Sequence, residues 1–208
     1  LAESVADVKN VYINDINYLS SYVGLDRWFD KALWYSSKYA LSFEAMPILA
    51  SSINNIINAI LGGSKKCLVL DLDNTCWGGV IADDGLSGIR IGKETAIDEA
   101  YLEFQIYIKE LRSVGISLAV NSKNDYDIAK QGFSHPDTVL GLDSFAAFKA
   151  NWKPKSENII NIANEINIGL DSMVFVDDSP MEREIVRLQI DNVSVPNVGS
   201  NIIEYIDY

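Results

Sequence analysis

The stretch Cys67-Leu68-Val69-Leu70-Asp71-Leu72-Asp73-Asn74-Thr75-Cys76-Trp77 constrains the fold of this chain more than any other. Its first four residues form an unbroken apolar run, the pattern of a parallel strand buried on both faces. The run ends in two carboxylates one residue apart. In open α/β sheets, ligands bind just beyond the carboxyl ends of the strands. Asp71 and Asp73 therefore arrive where such a fold builds a site. Their spacing suits one carboxylate that attacks or binds metal and another that handles a proton.

The residues on either side of Gly62-Gly63-Ser64 have different patterns, and this glycine pair stops a helix and marks a boundary. Before it, apolar spacing predicts helices over 15–23, 25–37 and 47–61. In the last, Ile48, Leu49, Ile53, Ile56, Ile57 and Ile60 make a broad apolar face. Val11-Tyr12-Ile13 suits a short strand. After the boundary, strand and helix alternate. Strands are predicted at 67–71, 116–121, 137–140, 173–177 and 192–195, and helices near 94–113, 125–132, 156–167, 180–188 and 200–207. The 94–113 segment has an acidic start, ends in Lys109 and Arg112, and is followed by Gly115. Such alternation predicts an α/β domain over 64–208, with a parallel central sheet and right-handed crossovers, behind a helical segment over 1–63.

A chain of 208 residues can bury a full core, and 48% hydrophobic with 22% charged residues is ordinary for a globular protein. The net charge of −12 argues against general nucleic-acid binding, which relies on basic surface. It also means that a phosphorylated substrate needs locally positive groups or a metal. No apolar run is long enough to span a bilayer and no signal-peptide pattern opens the chain, so no membrane association is expected. Two cysteines make no disulfide framework, and a reducing cytoplasm is the expected compartment. The first residue is Leu1, as in a piece of a longer polypeptide or a processed chain.

The predicted strand ends deliver polar groups to one edge of the sheet. The first brings Asp71 and Asp73, the second Asn121-Ser122-Lys123-Asn124, and the fourth Asp177-Asp178-Ser179-Pro180. Asn151-Trp152-Lys153-Pro154-Lys155 stands just ahead of a helix. Carboxylates from two strand ends can hold Mg2+, which typically takes one or two carboxylates plus waters and phosphate oxygens. A hydroxyl and a lysine can bind the remaining phosphoryl oxygens, and a carboxylate can itself be phosphorylated. Zinc fits poorly, because the chain has one histidine and no clustered cysteines.

In this order the motifs resemble the haloacid dehalogenase (HAD) superfamily, whose pattern is D-x-D-x-[TV], then Ser/Thr, Lys and an acidic pair. The resemblance implies a HAD-type Rossmann-like fold with Asp71 as nucleophile and metal ligand. It makes Asp73 the general acid/base, with a backbone carbonyl on the metal. Ser122 would bind phosphate beside Asn121, and Asp178 would be the metal carboxylate with Asp177 in support. The lysine has two candidates: the superfamily's Lys-Pro points to Lys153, and the N-W-x-x-K of closer relatives points to Lys155, which is preferred.

Those closer relatives form the FkbH-like branch. Its marks are Trp77-Gly78-Gly79-Val80, Asp84-Gly85, Ser122-Lys123-Asn124, His135-Pro136-Asp137 and Phe145-Ala146-Ala147-Phe148-Lys149-Ala150-Asn151-Trp152. Val176-Asp177-Asp178-Ser179-Pro180 completes the set. The branch implies glyceryl transfer in polyketide biosynthesis. A glyceryl unit is taken from 1,3-bisphosphoglycerate, phosphate is removed, and the glyceryl group is loaded onto an acyl carrier protein.

Cys76 stands where many relatives have leucine. In the turn after the first strand, backbone N–H groups and nearby cations can lower a thiol's pKa, which predicts a thiolate that carries the glyceryl group as a thioester. Against this, a cysteine is often a small buried hydrophobe. Cys67 is expected in the core, His135 at the end of a helix or loop, and Trp77 and Trp152 in packing or framing the site. The short segments between catalytic strands leave room for a small cap at most, and so for an open mouth. Three readings follow: glyceryl transfer, plain Mg2+-dependent phosphatase action on a small phosphoester or phosphoprotein, and non-catalytic docking within a synthase.

Overall fold

The computed structural model describes Val8, residues 10–199 and residues 201–207. The chain divides into two compact units, Leu1–Ser64 and Lys65–Tyr208.

The first unit contains α1 (Ile16–Val23), α2 (Leu25–Trp28), α3 (Lys31–Ser37) and α4 (Ala45–Ile60). Asp15 caps α1, its carboxylate accepting from the Tyr18 amide at 2.9 Å. The helix predicted over 25–37 is broken in two. Phe29 turns extended and bridges Leu41, and the Asp30 side chain accepts from the Leu33 amide at 3.0 Å. An aspartate that satisfies a free amide favours a fresh helix start over continuation. Val11-Tyr12-Ile13 forms no strand.

The second unit runs β1 (Cys67–Leu70), α5 (Ile81–Asp84), α6 (Ala96–Ser113), β2 (Ser117–Ser122), α7 (Tyr126–Gln131), β3 (Phe145–Ala150), α8 (Lys155–Ile166), β4 (Met173–Val176) and α9 (Pro180–Gln189). The four strands are all parallel, in the order β3-β2-β1-β4. This is the α/β architecture that the alternation predicted. β1 shows why its sequence is continuously apolar. Leu68 and Leu70 join one core with Phe104 and Ile108 of α6, and Cys67 and Val69 join another with Ile159 and Ile162 of α8. Successive side chains of a strand point to opposite faces, so a strand covered on both sides needs apolar residues at every position. Burying each such aliphatic side chain stabilises the fold by about 1.5–3 kcal/mol.

In this unit three predicted elements differ. Residues 137–140 are not a strand, and β3 lies later in the chain. The fully buried Gln105 explains this, because its Oε1 accepts from the Thr138 hydroxyl at 2.7 Å, the Val139 amide at 3.1 Å and the Leu140 amide at 3.4 Å. A side chain thus occupies amides that a neighbouring strand would need. The strand predicted over 192–195 is reduced to a single parallel bridge between Val174 and Ser194. The helix predicted over 200–207 is a 3₁₀ turn, Ile202–Asp207, with Ser200 outside the described residues.

The register sets the site. Leu70 pairs with Val120 on one side and Val176 on the other, which puts Asp71 and Asp177 just beyond their strand ends and level with Asn121 near the end of β2. Among the described residues, the segments after β1 and β2 hold only short helices and turns before the next long element, so no cap domain is inserted there. No described helix is long and apolar enough to cross a membrane.

Candidate active site

Three carboxylates converge where β1 and β4 end. Asp71, Asp177 and Asp178 each place an oxygen within 4.8 Å of the others. Lys155, the first residue of α8 and 3% exposed, reaches between them. Its Nζ bonds Asp177 Oδ2 and stands 3.1 Å from Asp71 Oδ1. The contact to Asp71 is off the hydrogen-bonding direction, which leaves the buried Oδ1 without a hydrogen-bond partner. Three carboxylates against one ammonium leave two negative charges uncompensated when all are ionised. Burial pushes Asp177 up from 3.8 to about 6, the charge of Asp71 adds to this, and Lys155 opposes it. Asp178 is raised by the same burial and by Asp71. Burial depresses Lys155, but Asp71 and Asp177 outweigh it and hold its pKa above the ordinary lysine value. An orphaned buried carboxylate oxygen beside two further carboxylates, with excess charge equal to that of a divalent cation, fits Mg2+.

Asp73 is gripped differently. Its Oδ1 accepts from Trp77 Nε1 at 2.9 Å and from the Ile81 amide at 3.1 Å, and its Oδ2 accepts from Asn124 Nδ2 at 2.9 Å. Burial raises its pKa, the Ile81 and Trp77 hydrogen bonds and Lys155 lower it, and Asp71 adds to the rise, with a net upward shift. A fixed carboxylate with a raised pKa holds a proton more readily than an ordinary aspartate, as a group that donates and takes back a proton must. The turn that shapes this grip depends on Asn74, which adopts a left-handed φ of 55° while its Oδ1 accepts from the Gly79 amide at 2.9 Å. Asparagine tolerates that conformation better than most residues.

The remaining expected residues separate. Ser122 ends β2 and is 2% exposed, on the same edge as Asp71. Lys155 is the inward lysine. Lys153 is corrected, since its side chain is 60% exposed and its Nζ pairs with Glu157 at 2.7 Å, one helical turn away. Asn121 is corrected as a phosphate contact, because it is fully buried and its amide faces protein groups. Its Nδ2 donates to the Lys155 carbonyl at 2.9 Å and its Oδ1 accepts from Asn158 at 3.1 Å. Asn121 therefore braces the backbone that aims Lys155.

Of the two readings of Cys76, its surroundings agree with the small buried hydrophobe and not with a thiol of lowered pKa. It is fully buried and its thiol donates to the Asp71 carbonyl at 3.2 Å. Burial pushes its pKa far up, and the charges of Asp71 and Asp73 add to this. The turn brings it carboxylates rather than cations. Cys67 is also buried, and burial raises it to about 11.

Several site residues had weak or no sequence signals. Arg183 of α9, 3% exposed, donates to the carbonyls of Asp177 at 2.6 Å and Asp178 at 2.9 Å. Thr75 Oγ1 accepts from the Asp178 amide at 3.1 Å, holding the same turn from the β1 side. Asn124 and Trp77 lie inside quoted motifs, but their grip on Asp73 is visible only in three dimensions. Arg183 had no signal, since an arginine in a helix most simply faces solvent. Trp152 is 76% exposed, and His135 ends a short 3₁₀ turn with Nδ1 accepting from the Asp137 amide at 3.3 Å.

Residues 1–58 match the family described as FkbH, N-terminal domain. The structure is similar to the N-terminal part of the protein BF1531 from Bacteroides fragilis, which contains a phosphatase domain complexed with Mg. The TM-score is 0.93 at 42% identity, over 99% of this chain and 55% of that one. Over residues 1–58 the chain thus resembles FkbH proteins. This chain spans little more than half the length of that relative. A HAD family enzyme from Bacteroides thetaiotaomicron, at 15% identity and a TM-score of 0.43 over 64% of this chain and 93% of that one, is too distant to bear on its chemistry. No curated protein matches the chain.

Proposed function

We propose that this chain is a Mg2+-dependent phosphatase that works through an aspartyl-phosphate on Asp71. The observation that carries the reading is the buried Oδ1 of Asp71, which pairs in charge with Lys155 at 3.1 Å but has no hydrogen-bond partner, beside Asp177 and Asp178. In the first step an Asp71 oxygen bonds phosphorus as the bond to the leaving oxygen breaks, and Asp73 gives that oxygen a proton. In the second, Asp73 takes a proton from water as the water oxygen bonds phosphorus, and the bond to Asp71 breaks to release inorganic phosphate. Lys155 and the Ser122 hydroxyl hold phosphoryl oxygens as charge redistributes. Asp71 and Asp178, with Asp177 in support and the Asp73 carbonyl, would hold Mg2+, which when bound neutralises phosphoryl charge. Arg183 and Thr75 act through the Asp177–Asp178 turn and are positioning residues. The relative's Mg complex and phosphatase domain support the same reading. Release of phosphate from p-nitrophenyl phosphate tests it. Turnover should require Mg2+ and disappear in Asp71→Asn; metal-independent turnover or an active Asp71→Asn would overturn it.

The match of residues 1–58 to the FkbH N-terminal domain favours a second, finer reading. In it the phosphorylated substrate is 1,3-bisphosphoglycerate and the glyceryl group passes to an acyl carrier protein. Cys76 takes part only if the turn carrying it opens, because the thiol is sealed and bonded to the Asp71 carbonyl. Intact mass spectrometry after incubation with 1,3-bisphosphoglycerate, Mg2+ and a carrier protein separates the readings. Glyceryl on the carrier supports transfer, and phosphate release without any adduct supports the plain phosphatase. A glyceryl adduct that survives in Cys76→Ala removes Cys76 from the path.

A further inference from the structure

Trp77 does none of the phosphoryl chemistry itself, yet its fully buried indole meets the residue that handles the proton. Its Nε1–H donates to Asp73 Oδ1 at 2.9 Å, and the Ile81 amide donates to the same oxygen at 3.1 Å. A carboxylate oxygen has two lone-pair sites, so Oδ1 is filled. Oδ2 accepts one bond, from Asn124 Nδ2 at 2.9 Å, and keeps a second site. The proton that Asp73 gives and takes back therefore belongs on Oδ2.

Gly132 explains why the indole cannot turn away. It follows α7, and its φ of −56° and ψ of −32° are helical, a conformation open to any residue. Contact, not backbone, is what requires glycine here. A Cβ at this position would lie 2.5 Å from Trp77 Cη2, 2.7 Å from Cζ2 and 2.9 Å from Cζ3. The next residue, Phe133, meets the indole at 77°, with ring centroids 5.3 Å apart. Phe133 is backed by Phe145 and Phe148 of β3, at 5.2 Å and 6.0 Å between centroids. Such a close-packed cluster of rings resists displacement. Asn124 stands just before α7 and Gly132 just after it, so both ends of one short helix act on the same carboxylate.

We propose that Trp77 is a positioning residue for Asp73, and that Gly132 is the stop against which its indole is set. The indole N–H occupies Oδ1, which turns Oδ2 to the leaving oxygen, and the Oδ2–H bond breaks as that oxygen takes the proton. Substrates with a strongly basic leaving group then depend on Trp77, while those whose leaving oxygen is stable as an anion hardly do. The inference rests on the phosphatase reading and adds two residues to its first step.

Phenyl phosphate and p-nitrophenyl phosphate form a matched probe pair, because the nitro group stabilises the departing phenolate and so reduces its need for a proton. With Mg2+ present, kcat/KM covers only the steps through release of the phenol, which excludes hydrolysis of the aspartyl-phosphate. Replacing Trp77 by 3-benzothienylalanine keeps the fused-ring shape and puts sulfur in place of the N–H. It should lower kcat/KM for phenyl phosphate about tenfold more than for p-nitrophenyl phosphate. Gly132→Ala, which displaces the indole, should move the ratio in the same direction. Partial misfolding lowers both substrates equally and leaves the ratio untouched. A ratio within about twofold of the wild type in either protein overturns the inference while the phosphatase reading stands. If the wild type releases phosphate from neither substrate, the phosphatase reading fails and takes this inference with it.

Discussion

The two units of this chain dispose of their apolar residues in opposite ways. In the sheet unit, every residue of β1 is at most 8% exposed, and two cores close over it from either face. In the helical unit, the buried described residues are Ser20, Val23 and Ala45, while Ile53, Ile57 and Ile60 of α4 stand exposed with Tyr22 and Tyr35. Among the described residues, burial of charged groups follows the same division. Asp71, Asp177, Lys155 and Arg183 are all nearly inaccessible, and each belongs to the sheet unit. Fixing charges against each other requires a close-packed scaffold, because a buried ion that can relax or hydrate loses its leverage. The sheet unit provides one, and the helical unit's own packing does not.

The sharpest way to break this comparison is to change one residue of each kind. Asp71→Asn should lower phosphate release by at least on the order of 10³-fold, since it removes the attacking group. Ile57→Ser, on an exposed face of the helical unit, should leave kcat within about twofold; an equal loss in both would mean the chemistry is not confined to the sheet unit. Packing gives the next contrast. Ile159→Ala, in a fully buried position, should destabilise the chain by about 2–5 kcal/mol in urea unfolding, and Ile57→Ala by about 0.5 kcal/mol or less.

Arg183→Met should weaken Mg2+ affinity about tenfold to a hundredfold by isothermal titration, because the turn bearing Asp177 and Asp178 loses its brace. Smaller still is a pH effect. The folded pKa of Asp177 is raised above its ordinary 3.8 to about 6, so its contribution to stability is complete below about 4 and is lost as pH rises through 6. Bound Mg2+ offsets that loss. It should therefore raise Tm more at about pH 7.5 than at about pH 5, by a few degrees. Equal gains at both pH values would place the cation elsewhere. Finally, neither Cys67 nor Cys76 should react with a thiol reagent until the sheet unit unfolds.

How much of this was legible in the sequence depended on whether the deciding force was local. β1 and its carboxylates were readable because a strand covered on both faces demands apolar residues at every position and ends where the site begins. β3 was misplaced because Thr138-Val139-Leu140 has strand-like residues, while the choice was made by Gln105, which lies 33 residues away from Thr138 in the chain and takes its hydroxyl and the next two amides. Lys153 and Lys155 are two residues apart. Only the start of α8 decides that one faces solvent while the other enters the carboxylate cluster. For Cys76 the choice between a thiolate and a small buried hydrophobe is likewise made in three dimensions. Its place in the turn is compatible with either, and the fold turns the thiol back on the Asp71 carbonyl. Arg183 was invisible because its partners are backbone carbonyls, which carry no side-chain signature.

The central claim is that Asp71 becomes phosphorylated. Acid-quenched peptide mass spectrometry of the Mg2+-loaded protein during turnover of p-nitrophenyl phosphate tests it most directly. The account predicts one phosphoryl group on Asp71, released by hydroxylamine and absent from Asp71→Asn. Phosphate carried by a different residue, or continued turnover in Asp71→Asn, would contradict it.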